Sequence, residues 1–120
     1  MKYLLQIWSD EGSSGESAPE AIAGMFEEYG KLTDEMRAEG VFLGGEGLQP
    51  TSTATSVRVR EGDVSVIDGP FAETKEQLGG FFLIECADLD GAIAWAGKIP
   101  GARGGTIEIR PVAEYEPRRA

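Results

Sequence analysis

Residues 80–100 read GFFLIECADLDGAIAWAGKIP. The run 80–87 is apolar and short enough to be a buried strand. Asp88 then stands where a helix N-cap belongs, ahead of Leu89, Ala92, Ile93 and Ala96 at steps of three and four, and Pro100 ends the pattern. Strand, cap and helix therefore follow one another without a linker. On this spacing Leu89, Ala92, Ile93 and Ala96 make the inward stripe, and Trp95, nearly opposite part of it, is expected to face a partner subunit.

The chain opens in the same order. Lys2-Tyr3-Leu4-Leu5-Gln6-Ile7-Trp8 reads as a strand, and the polar, glycine-containing stretch 10–16 reads as a loop. Ser17, with Pro19 in the first turn and Glu20 closing a capping box, starts a helix. Ile22, Met25, Phe26, Tyr29, Leu32 and Met36 form its apolar face, and Gly40 ends it.

Between the two halves, Val41-Phe42-Leu43 restarts extended structure, which the glycines and proline of 44–50 are expected to break. Residues 55–60 and 63–67 flank Glu61-Gly62 and predict a tight hairpin, with Val57 and Val59 on one face and Arg58 and Arg60 on the other. Only one face of such a hairpin needs burial. Residues 101–105 form a glycine-rich connection, and 106–112 alternate as a last strand. Residues 1–113 are read as a single domain and 114–120 as a polar tail.

Two βαβ halves with an inserted β-hairpin predict an α+β, ferredoxin-like βαββαβ fold, with both helices on one face of an antiparallel sheet. The other face needs a cover, and a second copy is the economical one, so a homodimer is expected. A cleft between sheet, helix and inserted loops is then the expected place for a ligand.

Composition narrows the function. With 21 acidic and 11 basic residues the formal charge is −10, which repels phosphate backbones, so direct nucleic-acid binding is not expected. The chain has no histidine, which removes the commonest metal ligand and the Ser-His-Asp triad; neither a metal nor a cofactor is expected. The single cysteine, Cys86, reads as a small buried hydrophobe rather than a catalytic thiol. No signal-peptide pattern opens the chain and no apolar stretch approaches a membrane span, so a cytoplasmic protein is expected.

The stretch 66–80, VIDGPFAETKEQLGG, carries a resemblance. Asp68-Gly69-Pro70-Phe71 with Ala72-Glu73-Thr74-Lys75-Glu76-Gln77-Leu78-Gly79-Gly80 resembles the signature of the DGPF-type group of the YCII-related family. Met1-Lys2-Tyr3-Leu4-Leu5, Gly45-Glu46-Gly47-Leu48-Gln49-Pro50, Asp88-Leu89-Asp90 and Ile107-Glu108-Ile109-Arg110-Pro111-Val112 resemble it in the same order. The resemblance implies a dimeric α+β barrel. In the wider family a His and an Asp suggest enzymatic chemistry, and one branch is linked to dehalogenation-type reactions on aromatic compounds. The family histidine falls near Tyr29 here, a departure from the pattern. The DGPF branch is associated with extracytoplasmic-function sigma factors, which implies a sigma-factor partner and a regulatory role.

The candidate site residues follow. Asp68 and Glu46 are the candidate catalytic pair, an acid and a base without histidine. Against that, Asp-Gly-Pro is strong turn chemistry, and an Asx-turn would use the Asp68 carboxylate locally. Tyr29, Lys75, Phe71, Tyr3 and Trp8 are candidate ligand-binding residues, although Tyr29 also fits the helix stripe and Lys75 a solvated charge cluster. Gly79-Gly80 lacks the spacing of a phosphate loop. The leading expectation is a dimer that binds a small molecule or a protein partner. The alternative is an enzyme acting on a small, possibly aromatic, substrate, and a monooxygenase-like dimeric barrel ranks below it on fold analogy alone.

Overall fold

Two strand–helix–strand units interleave into one antiparallel sheet. The computed structural model describes residues 1–12 and 19–115. They comprise β1 (Lys2–Ser9), α1 (Pro19–Ala38), β2 (Phe42–Gly47), β3 (Thr55–Arg60), β4 (Asp63–Asp68), β5 (Gln77–Glu85), α2 (Leu89–Gly97) and β6 (Thr106–Pro111). Single 3-10 turns stand at Thr51–Thr53 and Pro100–Arg103. The main sheet has the order β2-β5-β1-β6, so each unit's strands are separated by a strand of the other, and every neighbouring pair is antiparallel. This is the ferredoxin-like α+β arrangement, with β3 and β4 as a separate two-stranded sheet.

Strand alternation decides which side is the core. Tyr3 and Leu5 of β1 pair with Ile84 and Phe82 of β5, and all four are buried beneath the helices. Leu32 and Met36 of α1, with Ala92, Trp95 and Ala96 of α2 and Ile99 beyond it, complete this core. Each large side chain fully buried there contributes about 1.5–3 kcal/mol.

α1 ends as its sequence indicates. Gly40 has φ 73°, its N–H donates to the Arg37 carbonyl, and the Val41 N–H donates to the Met36 carbonyl at 2.9 Å. That is a Schellman closure with glycine in the left-handed position. The Ser17 cap lies outside the described residues. The stripe is only half used: Leu32 and Met36 are buried, whereas Met25 and Phe26 are 51% and 73% exposed. At 1.5 Å per residue the helix is about 30 Å long, longer than the six-residue β2 it leads into.

Three readings of the sequence are corrected. Trp95 does not face outward: it is 8% exposed, while Leu89 and Ile93 are 50% and 52% exposed. The stripe that packs runs through Ala92, Trp95, Ala96 and Ile99, a turn of the helix by roughly 60° from the expected one. Trp95 has the largest apolar surface in the segment and Ile99 continues its line past the helix end, so burying that line outweighs burying Leu89 and Ile93. Second, the glycines of 44–47 do not break the strand, because β2 continues to Gly47 opposite Gly80. A Cβ at Gly45 would lie 2.9 Å from the Phe81 carbonyl oxygen and from Phe82 Cδ1, so the glycine permits close approach to β5.

Third, among the described residues the hairpin buries neither face. Its turn is as expected: Glu61 and Gly62 have φ 52° and 82°, the left-handed pair of a two-residue type I′ turn. Val57 pairs with Val66 and Val59 with Val64, yet all four are exposed.

Candidate functional site: the open face of the sheet

The register that buries Tyr3 and Leu5 sends their neighbours to the other side. Leu4 lies between Leu83 and Arg110, Gln6 between Phe81 and Glu108, and Trp8 between Leu78 and Thr106. Glu46 of β2 also pairs with Phe81 and shares this face. Among the described residues no helix lies over it, and Leu4, Trp8, Phe81 and Leu83 are half-buried. Two polar atoms on this face, Gln6 Oε1 and Trp8 Nε1, are buried without a hydrogen-bond partner among the described residues. Such an unmade bond costs about 1–3 kcal/mol.

A cleft of about 300 Å³ opens here, lined by Trp8, Thr74, Glu76, Thr106 and Glu108. Trp8 stands at a β-bulge where the pairing with β5 shifts, next to β6, which contributes Thr106 and Glu108. Thr74 and Glu76 come from the loop before β5, and a hydrogen-bond chain holds that loop. Gln77 Nε2 donates to the Thr74 carbonyl at 2.6 Å, the Thr74 hydroxyl donates to the Glu76 carbonyl, and the Glu11 N–H donates to Gln77 Oε1 at 2.9 Å. The Glu11 carboxylate in turn accepts from the Thr51 N–H and hydroxyl at 3.0 and 2.8 Å. The loops around residues 11, 51 and 75 are thus tied to one another at one end of the open face.

Among the described residues no Lys or Arg lines this cleft. An indole, two hydroxyls and two carboxylates suit a small molecule with an apolar body and hydrogen-bond donors or a positive group. Among the described residues no group of three or more His, Cys, Asp or Glu is placed to hold a metal ion.

The sequence candidates fall in three places. Trp8 and Glu46 are on the open face, and Trp8 lines the cleft. Tyr3 and Tyr29 lie on the helix side: Tyr3 is 2% exposed, and the Tyr29 ring stacks on Phe82 with centroids 6.3 Å apart. Asp68, Phe71 and Lys75 are exposed at the hairpin base and in the following loop, Phe71 by 78%. The Asp68 turn is built without its carboxylate. The Gly69 N–H donates to the Ala54 carbonyl at 2.7 Å and the Ser56 hydroxyl to the Gly69 carbonyl at 2.8 Å. The Asp68 carboxylate has no hydrogen bond or ion pair among the described residues. Asp68 and Glu46 therefore belong to separate sheets.

Thr74, Glu76, Thr106 and Glu108 were not singled out from the sequence. For the last two a signal exists: they alternate with Ile107 and Ile109, so they must point away from the core.

Tyr29 stands near the position of the family histidine and does structural work. Its hydroxyl oxygen accepts the Gly101 N–H at 3.2 Å, which docks the turn Pro100–Arg103. Arg103 Nη2 pairs with Glu28 at 2.5 Å, and Lys98 pairs with Glu35, bracing the same side. Burial raises the Tyr29 pKa and Glu28 adds to this, with the Gly101 N–H and Arg103 pulling less strongly the other way. As pH rises past about 10 the unfolded chain gives up this proton first. The contribution to stability is therefore complete below that pH and is lost as pH climbs through the folded-state value. Tyr29→Phe is expected to show a shallower alkaline fall in Tm than the unaltered protein. Equal alkaline slopes in thermal melts between pH 8 and 11 would contradict this.

Comparison with known proteins places the chain in a family. The family model for the YCII-related domain matches residues 1–116. The uncharacterized protein R00369 of Rhizobium meliloti (strain 1021) is 50% identical over 72 residues, covering 58% of this chain and 58% of that protein. The chain thus spans a little over half the length of this curated relative.

Proposed function

Since this chain belongs to the YCII-related domain family, we propose that it is a homodimer joined through the open sheet faces, which binds a small molecule in the Trp8 cleft. The observation that carries this reading is the uncovered face itself: Leu4, Trp8, Phe81 and Leu83 half-buried in a row, with unpartnered Gln6 Oε1 and Trp8 Nε1 among them. A facing copy encloses these groups and turns an open cleft into a ligand chamber. The ligand is small and apolar with hydrogen-bond donors or a cationic group, matched to Trp8, Thr74, Thr106, Glu76 and Glu108. The DGPF-type motif supports a regulatory setting beside an extracytoplasmic-function sigma factor in the cytoplasm. No helix of the described residues is long and apolar enough to cross a membrane.

The competing reading, an enzyme using Asp68 and Glu46 as acid and base, has less support, because one residue lies on the open face and the other ends the separate hairpin. A thermal-shift screen of small amines, aromatic amines and aromatic carboxylates tests the ligand claim. Amine hits that stabilise the protein, and whose effect disappears in Trp8→Phe, support it. Stabilisation by carboxylates alone, or hits indifferent to Trp8→Phe, would count against it.

A further inference from the structure

Glu11 joins three segments that are distant in the chain. Ser9 ends β1 opposite Gln77, so the residue two places on lies beside the start of β5. The Glu11 N–H donates to Gln77 Oε1 at 2.9 Å, and Gln77 Nε2 donates to the Thr74 carbonyl at 2.6 Å. The Thr74 hydroxyl then closes onto the Glu76 carbonyl. Both carboxylate oxygens of Glu11 are engaged on the other side: Oε1 accepts the Thr51 N–H at 3.0 Å and Oε2 the Thr51 hydroxyl at 2.8 Å. Glu11, Thr51 and Gln77 are all half-buried. A carboxylate drawn out of water is costly unless such bonds are made, and bonds to a charged acceptor are the stronger kind.

The two walls of the Trp8 cleft are held in different ways. Thr106 and Glu108 stand on β6, fixed by its ladder with β1, in which Thr106 pairs with Trp8 and Glu108 with Gln6. Thr74 and Glu76 stand in the segment 69–76 between β4 and β5, outside any strand. Their place follows from the Gln77 side chain, and that side chain is fixed by Glu11. Among the described residues Glu11 does not itself line the cleft. A site binds more tightly when its groups are already in place, because less freedom is lost on binding.

We propose that Glu11 is a positioning residue for the Trp8 cleft: it pins Thr74 and Glu76 and thereby sets the affinity for a small organic cation. This rests on the ligand reading above. Benzylamine, an aromatic cation, is titrated against isotopically labelled protein and followed at the Trp8 indole N–H, which Trp8→Phe identifies. Glu11→Ala, and Gln77→Met, which leaves the Thr51 bonds intact, are each expected to raise the Kd at least about tenfold. Both are also expected to lower the heteronuclear NOE of the Thr74 and Glu76 amides but not of Thr106 and Glu108. Glu11→Gln keeps an oxygen for the Thr51 N–H and is expected to recover most of the affinity. Equal losses in Glu11→Gln and Glu11→Ala with none in Gln77→Met would mean that Glu11 acts only through its charge, and overturn the proposal. Lower melting temperatures at an unchanged Kd would reduce Glu11 to a strut and overturn it as well. If benzylamine leaves the Trp8 signal of the parent unmoved, the ligand reading falls and takes the affinity claim with it, whereas the relaxation measurement decides the pinning separately.

Discussion

Leu83→Arg is expected to turn the protein into a monomer while leaving its fold intact. Leu83 pairs with Leu4 at the centre of the open face and is half-buried with no helix above it. In a two-fold contact through this face, one substitution places a guanidinium on each side. Taking an unpaired ion out of water costs several kcal/mol. Two of them weaken association by at least about a thousandfold, since each 1.4 kcal/mol is a factor of ten. The monomer keeps its core, because Leu83 lies on the sheet face opposite the buried Phe82 and Ile84. Sedimentation velocity together with far-UV circular dichroism reads both halves of the expectation. A dimer as tight as the parent's, or a variant that has lost its helices, would contradict it.

The next residue along behaves in the opposite way. Ile84 is fully buried, paired with Tyr3 on one side and Phe42 on the other. Ile84→Ala removes its outer carbons from a core with no other means of filling the space, and such truncations cost about 2–5 kcal/mol. For a chain of this size that lowers Tm by roughly 10–25 °C. Chemical denaturation is expected to show a lower midpoint with an unchanged slope. A loss below about 1 kcal/mol would mean that the core does not centre on the β1–β5 pair. Adjacent residues thus separate two properties, association on one face and stability on the other, because side chains alternate along a strand.

Much of the fold could be read from local signals. The Glu61-Gly62 turn, the Gly40 helix end and the Asp88 cap, whose carboxylate accepts the Gly91 N–H at 2.9 Å, all depend on residues a few positions apart. Errors arose where a distant partner decided the outcome. The turning of α2 depends on Ile99 and the core beneath it, and the continuation of β2 through its glycines depends on Phe81 and Phe82 of β5. The site was less legible still. Trp8 was visible as a candidate, but its companions Thr74, Glu76, Thr106 and Glu108 come from separate segments that only the sheet order and the bulge beside Trp8 bring together. Tyr29 stacks on Phe82 and accepts the Gly101 N–H, contacts between segments far apart in the chain that no local signal shows.

Everything functional in this account depends on the open sheet face being covered by a second copy. Sedimentation equilibrium of the unaltered protein at tens of micromolar tests that most directly. The expected result is a single species of twice the 12.8 kDa chain mass. A single species at the chain mass itself, across the same concentrations, would contradict it.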